Sequence, residues 1–120
     1  MNAVLWTVQI VLSLAFLVSG ATKAFGPLEK LAEKMGWVDD FAPRVVRLIG
    51  VAEILGALGL VLPRALDVLP VLTPVAAAAL ALVMVAAAVV HVRRREIPMI
   101  LPNIVLGGLA IFVSVARSSM

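Results

Sequence analysis

The sequence predicts an all-α integral membrane protein. Its architecture is an antiparallel four-helix bundle with a short interfacial helix between helices 1 and 2. Three observations carry this. The 120 residues are 63% hydrophobic and 14% charged, with a mean hydropathy of +1.16, where a soluble domain carries roughly 25% charged residues. Residues 1–22, 68–90 and 97–116 contain no charged side chain, and residues 45–62 contain only Arg47 and Glu53. A helix needs about 20 apolar residues to cross ~30 Å of hydrocarbon. So much apolar surface cannot be hidden inside a chain this small, so lipid must cover it. In lipid, backbone groups must pair within each segment, which selects helices. The apolar runs are continuous, not alternating, which argues against a barrel.

The chain reads as one transmembrane domain over 1–120. The first span covers about residues 2–25 and ends at Gly26-Pro27. It has no basic leader region, and it exceeds the 7–15 apolar residues of a signal peptide, so it reads as a span. Pro27 suits the first turn of a new helix. Residues 27–35 then form the interfacial helix, with Leu28, Leu31, Ala32 and Met35 on one face and Glu29, Lys30, Glu33 and Lys34 on the other. The second span covers about 43–62 and stops at Pro63. The third covers about 66–93, with Pro70 and Pro74 as kink points. The fourth covers about 98–117.

Basic residues orient the bundle. Lys23, Lys30, Lys34, Arg44, Arg47, Arg93, Arg94 and Arg95 lie on one side and Arg64 and Arg117 on the other. The richer side is expected to be cytoplasmic, in a cell membrane, with both termini on the non-cytoplasmic side. Trp6 and Trp37 fall near opposite interfaces, as aromatic anchors do. The net charge of +3 belongs to these flanks and does not point to nucleic acid. The chain has no cysteine, which removes disulfides, thiolate chemistry and Cys-ligated metals.

Isolated polar residues inside spans are expensive and mark a site or a structural pair. Side chains in a helix tilt toward its N-terminus. Lys23 and His91, near the ends of spans 1 and 3, therefore lean into the membrane. Glu53 and Asn103, on spans running the other way, lean toward the same level. Four polar residues from four helices thus converge on one half of the bundle. Small residues flank each of them: Gly20 before Lys23, Gly50, Gly56 and Ala57 around Glu53, Ala87 and Ala88 before His91, and Gly107 after Asn103. Small residues let helices approach closely. Gln9, Ser13, Gly20 and Lys23 form one stripe, the expected buried face of helix 1.

The stretches SGATKAFGPLEKLAEKMGW, RLIGVAEILGALGLVLP, AAVVHVRRREIP and LPNIVLGGL, taken in order, resemble the DoxX-like family of small four-span membrane proteins. The pattern Arg47, Gly50, Glu53, Gly56, Gly59, Pro63 carries the resemblance most specifically. The family takes its name from a subunit associated with thiosulfate:quinone oxidoreduction. The resemblance therefore implies a four-helix membrane bundle and a redox accessory role, with a quinone as the implied ligand.

The residues themselves leave alternatives open. Glu53 reads as a structural partner of Lys23 or Arg47, as an acid/base or ligand-anchoring carboxylate, or as a protonated hydrogen-bonding group. His91 reads as a structural hydrogen-bonding group, or as a proton donor or acceptor with Glu53. Lys23 reads as a snorkelling cation or as the partner of Glu53. One His and one Glu are a weak ligand set, so no metal is expected. The leading reading is a lipophilic small molecule, such as a quinone, held against Glu53, His91 and Lys23 in a cavity lined by Phe16, Gly20, Gly50, Ala57, Met84, Ala87 and Asn103. The second is a membrane enzyme using Glu53 and His91 as acid and base in an isomerisation, cyclisation or hydrolysis. The third is a structural or assembly subunit. Beyond the lipid bilayer, a homo-oligomer and a membrane protein partner both stay open.

Overall fold

The computed structural model describes residues 2–27, 29–31, 36 and 41–118. Among them are four long helices, each apolar and long enough to cross a membrane: α1 (Asn2–Phe25), α2 (Pro43–Ala65), α3 (Leu72–Arg93) and α4 (Ile100–Ser118). A 3-10 turn, Ile97–Met99, leads into α4. No strand occurs among the described residues. Of the expected interfacial helix, Glu29, Lys30 and Leu31 are helical. Leu28 and residues 32–35 lie outside the described residues, as does Trp37.

The helices ring a common core in chain order. α1 packs along α2, α2 along α3 and α3 along α4, while α4 and α1 meet over a shorter stretch. Leu12, Phe16, Ala57, Leu60, Leu80, Met84 and Val113 are among the core residues. Each helix turns a second face of large exposed apolar side chains outward, for example Val11, Leu14 and Val18 on α1, Leu55 on α2, Leu82 on α3 and Ile104 on α4. A helix that is apolar all round is covered by lipid where it is not covered by protein. The protein is a multi-pass membrane protein in a lipid bilayer.

Glycine sets the seams. A Cβ placed on Gly20 would stand 2.6 Å from the Gly50 carbonyl oxygen, and one on Gly50 would collide with the Ala24 backbone nitrogen. At this crossing α1 and α2 touch backbone to backbone, which only glycine permits. Gly56 against Leu80 and Gly107 against Met84 close the next two seams with side chains instead.

Two boundaries differ from expectation. Helix α2 does not stop at Pro63 but runs through it to Ala65. Pro63 lies so near the end that its missing N–H removes one helical bond and no more. Helix α3 begins at Leu72, later than the expected position 66. The reason is a Schellman turn after α2: Val68 N–H donates to the Pro63 carbonyl at 3.0 Å and Asp67 takes φ 52°. Leu69 follows at φ 46°. Pro70 therefore sits outside α3, and Pro74 falls in its first turn, where no amide donor is needed. Neither proline is placed to kink the middle of the helix.

Candidate functional site

The buried face of α1 carries Leu5, Gln9, Leu12, Ser13, Phe16 and Gly20, which contains Gln9, Ser13 and Gly20 of the expected stripe, while Lys23 at its end is half-buried. Gln9 Nε2 donates to the Leu60 carbonyl at 2.6 Å, and Ser13 Oγ donates to the Ala57 carbonyl at 2.8 Å. These bonds fix the register of α1 on α2. That register brings Lys23 to Glu53. The Lys23 Nζ donates to Glu53 Oε1 at 2.6 Å and to Ser19 Oγ at 3.0 Å. Glu53 is 0% exposed. Arg47 does not join this pair. Its Nη1 donates to the carbonyls of Lys23, at 3.1 Å, and Gly26, at 2.6 Å. It thus caps a carbonyl in the last turn of α1 and the Gly26 carbonyl just beyond it.

His91 does not meet Glu53. Its Nδ1 lies 3.0 Å from Glu96 Oε1, and Arg94 Nε reaches the same oxygen at 3.3 Å. The turn after α3 makes this contact. Arg95 takes φ 59°, and Glu96 N–H donates to the His91 carbonyl at 2.8 Å. This Schellman turn folds Glu96 back over the end of its own helix. The sequence reading missed Glu96 because no glycine stands at position 95 to signal the left-handed residue.

A cavity of about 470 Å³ opens between the four helices. Its wall is largely apolar: Ala15 and Phe16 from α1, Ile49 from α2, Val83, Met84, Ala86, Ala87 and Val90 from α3, Met99, Pro102 and Leu106 from the last helix and the turn before it, and Phe41. Set into it are Ser19, Lys23, Glu53, His91 and Asn103. All four polar residues that the sequence brings to one level therefore line one space. Phe16, Met84 and Ala87 line it as well. Gly20, Gly50 and Ala57 do not; they make the α1–α2 contact instead. Their smallness serves helix approach, not ligand volume. The volume falls within the roughly 300–1,000 Å³ of small-molecule sites. Among the described residues, no three His, Asp or Glu side chains cluster as metal ligands would.

The other end of the bundle holds a second polar cluster, built around Arg117, a residue the sequence assigns only to topology. Arg117 of α4 is 2% exposed. Its Nε donates to Gln9 Oε1 at 2.7 Å and its Nη1 to Asn2 Oδ1 at 2.9 Å. The guanidinium stands 5.3 Å from the centre of the Trp6 ring, within the range of a cation–π contact. This ties α4 to α1 at the end remote from the cavity. The signal available in the sequence was Asn2 and Gln9 on one helical face, seven residues apart.

A model of the DoxX-like family matches residues 7–113. No curated protein and no solved structure matches the chain.

Proposed function

The chain belongs to the DoxX-like family, and from that premise we propose that it holds a lipophilic small molecule of the quinone class in the cavity between its helices, in a redox accessory role. The observation that carries the proposal is the wall of that cavity: apolar side chains from all four helices surround a few convergent polar groups, Lys23–Glu53, His91 and Asn103. This is the usual form of a small-molecule site. An apolar molecule dissolved in the bilayer would exchange lipid contacts for these walls and gain polar contacts that lipid cannot give. The absence of cysteine fits an accessory role, since the chain brings no thiol couple of its own. In the proposed orientation the cavity lies toward the cytoplasmic side of a cell membrane, because the arginines beside it, Arg44, Arg47, Arg93, Arg94 and Arg95, outnumber those at the other end.

The test is extraction. Solvent extraction of the purified protein, followed by mass spectrometry, should yield a lipophile in stoichiometric amount and enriched over the surrounding lipid. Turnover of such a molecule that is lost in Glu53→Gln with the fold retained would move the reading to a membrane enzyme. A stable complex with another membrane protein and no enriched lipophile would move it to an assembly subunit.

A further inference from the structure

Glu53 uses only half of its carboxylate. Oε1 takes the Lys23 ammonium, while Oε2 is buried and meets no donor. Asn103 has the opposite deficit: its Nδ2 is buried and meets no acceptor. The two residues sit on α2 and α4, which are not neighbours in the ring, yet both line the same cavity. Buried polar atoms are rarely left without a partner, and charged ones least of all. The wall therefore offers an acceptor at Glu53 and a donor at Asn103.

A group that complements this set must both donate and accept. Carbonyl groups only accept; they would suit Asn103 and leave Glu53 Oε2 unmet. Hydroxyl groups do both. We infer that the polar head seated in this cavity is a hydroxyl, so that the ligand class is a lipophilic alcohol or phenol. For a quinone couple, this is the reduced, hydroxyl-bearing form. The hydroxyl O–H donates a hydrogen bond to Glu53 Oε2, and its oxygen accepts one from the Asn103 Nδ2–H. This rests on the cavity reading above and specifies the chemistry of its ligand.

The experiment compares 4-nonylphenol with its methyl ether, 4-nonylanisole. The two share an apolar body and an acceptor oxygen but differ in the donor. Binding to the full chain in detergent micelles is read by native mass spectrometry. The phenol should bind about tenfold or more tightly than the ether, the margin of a hydrogen bond to a charged group. Glu53→Gln should erase most of that preference. Asn103→Leu leaves the Lys23–Glu53 pair in place; it should weaken both probes and keep the preference, and it serves if Glu53→Gln does not fold. Equal binding of both probes to the unaltered protein would overturn the hydroxyl assignment, with a water satisfying Glu53, and leave the cavity reading standing. Binding of neither would overturn both. Unchanged affinities in Asn103→Leu would remove Asn103 from the assignment.

Discussion

At the scale of single residues, the Lys23–Glu53 pair decides most. Two opposite charges 2.6 Å apart in an apolar bundle are not stabilising relative to well-packed apolar residues, because desolvation offsets their attraction. Removing one of them is another matter, since it leaves the other uncompensated. Glu53→Ala should therefore destabilise the protein by about 3–5 kcal/mol, read as a lower melting temperature in detergent. The double change Lys23→Met, Glu53→Met should recover part of that loss; additive effects of the two single changes would contradict a direct pair. Gly50 and Gly108 give a second contrast. Gly50→Val forces a side chain into the Ala24 backbone and should cost about 1–3 kcal/mol or more. Gly108 has open space before it, so Gly108→Ala should leave the melting temperature unchanged or raise it slightly. Lys23 and Glu53 were legible in the sequence because lone charges stand out in apolar spans. The partner of His91 was not, because Glu96 reaches it only through a left-handed backbone at Arg95, and arginine does not advertise that conformation.

Among the elements, the spans were readable from hydropathy alone, and their boundaries were less so. Both departures lie where a chain reversal is made by residues other than glycine: Asp67 and Leu69 after α2. The role of Arg117 was hidden for a different reason. Its position near the end of a span is what a topology signal requires, and nothing local in the sequence distinguishes it from a buried tie between α4 and α1. Its bonds to Gln9 and Asn2 imply that Arg117→Leu leaves Gln9 Oε1 without this donor. The expected loss is about 1–3 kcal/mol, and a melting curve unchanged from that of the unaltered protein would contradict the tie. Orientation is testable at the same scale. A cysteine at Ser118 is expected to react with a membrane-impermeant maleimide from outside the cell, and one at Arg93 only after the membrane is opened. No native thiol competes with either. The reverse pattern would invert the proposed topology.

Across the whole molecule, the bundle is tied at one end and hollow at the other. Gly20 and Gly50 bring α1 and α2 together, Arg117 holds α4 to α1, and the cavity occupies the level of Lys23, Glu53, His91 and Asn103. The convergence of these four residues follows from helix direction and was visible in the sequence. The volume between them was not, because small residues read equally as close packing or as space. Here Gly20, Gly50 and Ala57 pack, while Ala15, Ala86 and Ala87 border the hollow. That division supplies the most direct test. Ala87→Phe places a ring in the cavity from α3 and leaves both residues of the Lys23–Glu53 pair and the glycines of the α1–α2 contact unaltered. Native mass spectra of the protein and of this variant, purified side by side, should show a lipophile bound to the unaltered protein and absent from a variant that remains folded. A bound mass of equal occupancy in both, or none in either even after addition of a lipophilic phenol, would contradict the cavity as a ligand site.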